Sequence, residues 1–161
     1  MTEESPPRVV FDCGVFLQGL ISESGPAVAC LELFERGEIT LLFSEATLLE
    51  IKDVLSRSKL RAKYPLLTEE RTTQLLESLW SKAEFVQNVP QHFSYERDPD
   101  DEPYLNLAIE AEAAYLVSRD KDLLDLMTGY TEECKEFRRR FRPLKIVDPV
   151  TFLQETKKDD P

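Results

Sequence analysis

Short apolar runs alternate along this chain with stretches of helical spacing. The run Val9-Val10-Phe11 is β-branched and aromatic and closes on Asp12, so it reads as a buried strand of a parallel sheet. Similar runs at Ile39 to Phe43, Glu84 to Gln87, Ala114 to Val117 and Leu144 to Val147 predict four more strands. Between them, helices are predicted at Val15 to Ile21 and, bracketed by Ser24-Gly25 and Gly37, at Pro26 to Arg36. Ser44 can cap a helix to Ser56 with Leu48, Ile51 and Leu55 on one face, and Thr68 a longer one through Leu75, Leu76, Leu79 and Trp80. Pro103 suits a helix's first turn, with Leu105, Ala108, Ile109 and Ala113 following; Lys121 to Met127 and a turn or short helix after Pro149 complete the series. Residues 57–65 read as a connector, 88–102 as a loop and 129–143 as a polar stretch. Strands alternating with helices predict an α/β fold, a central parallel sheet covered on both faces. Without repeats or a linker, residues 1–161 read as one domain with frayed tails at 1–7 and 157–161.

Composition narrows the choices. The 161 residues include three cysteines without metal-ligand spacing and one histidine, His92, which excludes a histidine-rich zinc site and argues against a disulfide framework. That cysteine usage fits a reducing, cytoplasmic setting. No apolar run reaches the length of a membrane span, and the acidic, proline-bearing residues 1–7 resemble neither a signal nor a transit peptide. The net charge of −11 disfavours nonspecific binding to polyanions, although a cluster of cation-holding acids would inflate that figure and local basic patches could still meet phosphates.

Four acids stand out by position: Asp12 at a strand end, Glu50 within a helix, Asp101 just before a helix and Asp120 at another strand end. In open α/β sheets the strand ends are where ligands bind. Converging carboxylates repel one another, and a divalent cation is the usual remedy, with oxygen ligands suiting Mg²⁺. Taken singly, each acid also reads as a helix cap, a turn former or a solvated face residue. Their order, strand end, helix, loop, strand end, is what binds them into one pattern.

On these residues the chain resembles the PIN domain family, in its branch of toxins from toxin–antitoxin pairs. Val9 to Phe16 is similar to that family's strand–Asp–Thr–Asn–Val signature, and Ser44 to Leu55 to its second motif, with the glutamate at Glu50. Asp98-Pro99-Asp100-Asp101 and the strand running into Ser118-Arg119-Asp120-Lys121-Asp122-Leu123-Leu124 carry the most specific likeness. Val147 to Leu153 resembles the branch's usual ending. The resemblance implies a three-layer α/β/α sandwich and a Mg²⁺- or Mn²⁺-dependent endoribonuclease hydrolysing RNA. It also implies an antitoxin protein as partner and a homodimer. It assigns Asp12, Glu50, Asp101 and Asp120 as catalytic metal ligands, with Asp98 and Asp122 as further candidates and Ser118 orienting a ligand or phosphate.

Two departures bear on this. Cys13-Gly14 stands where the family has Thr-Asn, and glycine cannot make the asparagine's hydrogen bonds. The stretch 129–143 is long and carries Lys135, Arg138, Arg139, Arg140 and Arg142. It reads either as a solvated helix docked by Phe137 and Phe141 or as a phosphate-binding patch centred on Arg138, Arg139 and Arg140. The runner-up function is a degenerate PIN domain that binds RNA or protein without catalysis. A phosphoryl-transfer receiver or phosphatase is a weaker reading; a receiver would need a lysine after a later strand, and none is well placed.

Overall fold

A computed structural model of the chain describes residues 5–157; the predicted tails fall outside the described residues except at 5–7 and 157. Of these, Pro7 is tied down, its carbonyl accepting from Thr40 N at 2.8 Å. Five strands form one sheet: β1 (Arg8–Phe11), β2 (Thr40–Phe43), β3 (Glu84–Phe85), β4 (Tyr115–Val117) and β5 (Lys145–Val147). Their order is β3-β2-β1-β4-β5, and every pairing is parallel. The predicted α/β class and parallel sheet are therefore observed, with strand limits shifted by a residue or two.

The helices are α1 (Cys13–Ile21), α2 (Pro26–Glu35), α3 (Glu45–Leu55), α4 (Ser58–Lys63), α5 (Glu69–Lys82), α6 (Glu102–Glu110), α7 (Lys121–Thr128), α8 (Glu132–Arg140) and α9 (Pro149–Thr156). Local chemistry accounts for most boundaries. Asp12, Ser44, Thr68, Asp120, Thr131 and Asp148 each cap the helix that follows by accepting a backbone N–H. Gly37, at φ +74°, ends α2: its N–H donates to Phe34 O and that of Glu38 to Leu33 O, both at 3.0 Å.

One segment differs from the sequence reading, and a second takes the helical form that reading offered. Residues 57–65 are not simply a connector, because α4 forms there; it buries no side chain, so no apolar stripe announces it. The polar stretch 129–143 holds α8, anchored by Cys134 and Phe137 and by the edge-on contact of Phe137 with Phe93 at 5.1 Å.

The core lies on both faces of the sheet. Phe11 meets Phe16 of α1 and Phe152 of α9, and Tyr115 meets Phe152, all edge to face. Helix α6 packs across β1, β2 and β4 through a strip that includes Leu105 and Ala108. Among the described residues no single helix is long and apolar enough to cross a membrane. Helices α1 and α2 reach such apolarity only together, across a bend of 101°.

Candidate functional site

The sheet's topology singles out one place on its rim. From β1 the chain crosses to β2 and β3 on one side, then returns to lay β4 on the other side of β1. The carboxyl ends of β1 and β4 therefore flank the switch point, where open α/β sheets open a crevice. Register makes them level: Phe11 pairs with Val117, and Asp12 N donates to Val117 O at 3.1 Å. The strand-end acids Asp12 and Asp120 are thus delivered to one spot.

Ser118 joins them. It is fully buried, its hydroxyl donates to Asp12 Oδ2, and its Oγ accepts from Asp120 N at 2.9 Å. The second Asp12 oxygen, Oδ1, accepts from Val15 N at 3.1 Å. Asp12 is 6% exposed, and burial pushes its carboxyl up to about 6. Hydrogen bonds from Ser118 and Val15 oppose that rise, while the nearby charges of Asp120 and Glu50 add to it.

Asp98 and Asp101 enter from the loop before α6. A 3-10 turn over Pro99–Asp101, with Asp101 N donating to Asp98 O at 3.1 Å, turns both inward. Asp98, Asp101 and Asp120 each offer a carboxylate oxygen, and these atoms lie within 4.8 Å of one another. Asp101 is buried, and among the described residues its Oδ2 has no hydrogen-bond partner. Its carboxyl is driven well above the carboxylate range, first by burial and then by the neighbouring carboxyls of Asp120 and Asp98. Among the described residues none of these acids forms an ion pair with lysine or arginine.

The loop is clamped at both flanks. The buried Asn106 accepts from His92 N at 2.7 Å and Phe93 N at 2.9 Å and donates to Phe93 O. Tyr95 donates to Asp122 O at 2.5 Å, and Arg97 bridges to Asp122 at 2.6 Å and Asp125 at 2.9 Å. Glu50 stands on the α3 side, its Oε1 accepting from the buried Tyr104 hydroxyl at 2.6 Å.

Placed against the expected residues, the tightest group is Asp98, Asp101 and Asp120. Asp12 adjoins it through Ser118 and Glu50 stands apart on Tyr104. Asp122 is turned to Arg97 and gives its N–H to Asp120 Oδ1 at 2.9 Å. Of the basic residues, Arg138 donates to the carbonyls of Leu126 and Gly129, both at 2.8 Å, at the end of α7. Arg140 donates to His92 O at 3.1 Å, and Arg139 is exposed. Sequence reasoning missed Tyr104 and Asn106 altogether; an aromatic and an amide inside an amphipathic helix give no signal of the partners they meet across the fold.

An oxygen-only set suits a hard divalent cation, whose octahedral ligands lie roughly 3 to 4 Å apart. Asp101 Oδ2, buried and without a hydrogen-bond partner among the described residues, is an oxygen that such a cation would engage in place of a proton. Cys13 does not provide a nucleophile: burial, then Glu50 and Asp12, push its thiol up to about 12.

The sequence profile of the PIN domain family matches residues 8–122, which run from β1 through Asp122 and so include Asp12, Glu50, Asp98, Asp101 and Asp120. The chain belongs to the PIN domain family. Members are in general nucleases, most of them metal-dependent. This PIN domain is 32% identical over 151 residues to the uncharacterized protein MJ1680 of Methanocaldococcus jannaschii, covering 94% of this chain and 92% of that protein. The crystal structure of PAE2754 from Pyrobaculum aerophilum has the same fold, with a TM-score of 0.50 and 16% identity over 94% of this chain and 90% of that one.

Proposed function

We propose that this PIN domain is a Mg²⁺- or Mn²⁺-dependent endoribonuclease. The observation that carries the reading is the convergence of Asp98, Asp101 and Asp120, with an unpartnered buried oxygen on Asp101. These three would hold the cation, with Asp12 and Glu50 beside them. When bound, a divalent cation lowers the pKa of its water and offsets charge building on a cleaved phosphodiester. Ser118 holds the Asp12 carboxylate in one orientation, and Tyr104 holds Glu50. The burial of Asp12 and Asp101 keeps water from competing for their oxygens.

The test uses purified chain and a labelled single-stranded RNA in Mn²⁺. Asp120→Asn should lower cleavage on the order of a thousandfold, about 4 kcal/mol of lost stabilisation. Unchanged cleavage in the variant would remove the reading.

A second reading, a PIN domain that binds without cutting, has one observation in its favour. Gly14 offers no side chain beside Asp12 Oδ1, where an added Cβ would lie 3.4 Å away. Cation binding without cleavage by the parent chain supports that alternative. The likeness of Val147 to Leu153 to the toxin branch extends the main proposal to the toxin of a toxin–antitoxin pair, tested by a stable complex with the product of an adjacent small gene.

A further inference from the structure

One strand beyond the acids, the rim holds a cavity of about 320 Å³. Arg119 and Leu124 line it from the β4 side, Asp148 and Val150 from β5 and the start of α9, and Gln18 and Pro26 from α1 and α2. Its position follows from register. Val117 pairs with Val147, and Ser118 N donates to Val147 O at 2.9 Å, so Asp148 is level with Ser118 on the neighbouring strand. Adjacent strands lie about 4.8 Å apart. Arg119 is the residue immediately before Asp120, so the chain passes directly from cavity to acid cluster.

The lining is chemically mixed. Arg119 is exposed and, among the described residues, forms no ion pair and donates no side-chain hydrogen bond. Asp148 accepts from Thr151 N through Oδ1 at 2.8 Å, leaving Oδ2 without a hydrogen bond among the described residues. Leu124, Val150 and Pro26 supply apolar walls. A bare phosphate would meet the Asp148 carboxylate, so a free anion fits poorly. A hydrocarbon would bury the charges of Arg119 and Asp148 without partners. A planar heterocycle with acceptors and donors on its edges satisfies both charges and the apolar walls. The volume lies at the small end of ligand pockets, which run roughly from 300 to 1,000 Å³, and matches one base rather than a longer segment of chain.

Resting on the proposed RNA substrate, we infer that this cavity holds a nucleobase of the strand flanking the acid site. Arg119 donates to a ring or carbonyl acceptor, and Asp148 accepts from an exocyclic amine. Uracil offers only N3–H, which lies between two carbonyl oxygens that face and repel the carboxylate, so bases with an amino group, such as adenine and cytosine, are preferred to it. Proteins that take single strands combine such cationic contacts with apolar platforms for the bases, and carboxylates accept from base amines in direct readout.

The test measures fluorescence anisotropy of labelled hexamers of adenylate, cytidylate and uridylate with the full chain, with Ca²⁺ in place of Mg²⁺ to slow cleavage. The adenylate and cytidylate hexamers should bind about tenfold tighter than uridylate. Asp148→Asn keeps an oxygen to cap α9 but presents an amide donor where Oδ2 stood. It should abolish that preference and turn it towards uridylate, with the melting temperature confirming an intact fold. Arg119→Ala should weaken all three hexamers at least fivefold while leaving Mn²⁺ binding at the acids unchanged. Equal binding of the three hexamers by the parent chain, a preference that survives Asp148→Asn, or no effect of Arg119→Ala would each overturn the inference. Absence of any hexamer binding would overturn it too; retained Mn²⁺ binding would then show that the cation site stands without it. Loss of cleavage in Asp120→Asn with the base preference intact separates the two proposals from the other side.

Discussion

Carboxylates occupy two contrasting regions of this PIN domain. On its outer faces several are matched by cations: Arg8 with Glu84 at 2.8 Å, Lys82 with Glu35 at 2.7 Å and Arg57 with Asp53 at 2.7 Å. At the carboxyl rim of the sheet, Asp98, Asp101 and Asp120 gather, Asp12 adjoins them through Ser118 and Glu50 stands on Tyr104, and among the described residues none of the five pairs with lysine or arginine. The hydrogen bond from Arg8 holds Glu84 below its ordinary value, whereas burial raises Asp12 and Asp101. The two regions share a chemical group and differ in water and partners. Exposed pairs are worth little because solvent already screens each charge. Buried acids without partners are costly, and a fold that keeps them together has a use for positive charge that the chain itself does not supply.

The largest effect expected from this contrast is a pH dependence in the cation-free protein. Asp12 keeps its proton to about 6 in the folded state but releases it near 3.8 when unfolded. The native state therefore binds the extra proton between those values. The stability Asp12 contributes is full below the lower pH and drains away as pH rises through the higher one, by about 3 kcal/mol. Urea unfolding of chelator-treated protein from pH 4 to 7 should show the parent losing this amount relative to Asp12→Asn; parallel curves would dissolve the contrast.

Next comes Asp101→Asn. Removing the orphaned carboxylate should stabilise the cation-free protein by about 2 kcal/mol and abolish the rise in melting temperature on adding Mn²⁺. A destabilised variant that still responds to Mn²⁺ would contradict the reading of Asp101 Oδ2. Smaller again is Tyr104→Phe, which leaves Glu50 Oε1 without its donor. RNA cleavage should fall about tenfold with the melting temperature little changed, as for other groups that orient a ligand from behind. At the bottom of the scale, Glu35→Gln breaks an exposed pair with Lys82 and should move stability by less than about 0.5 kcal/mol. A cost comparable to that of Asp101→Asn would erase the distinction between rim and surface.

Much of this was legible in one dimension. The β-branched run ending at Asp12, the caps at Ser44 and Thr68 and the apolar stripe of α6 are local signals, and the elements they predict are present. Helix α4 was not legible, because it buries nothing and basic residues surround it. Nor could spacing choose between Asp98 and Asp101, since both flank one short loop; a single 3-10 turn brings both inward.

Periodicity and capping act over a few residues, so the chain alone determined its strands, most of its helices and the acids standing at their ends. Which acids meet is a matter of strand order and register. Laying β4 beside β1 puts Ser118 between Asp12 and Asp120, and it sets Arg119 and Asp148 around a cavity on neighbouring strand ends. Contacts between groups a hundred residues apart, such as Ser118 with Asp12, depend on the whole packed sheet, and no local pattern encodes them.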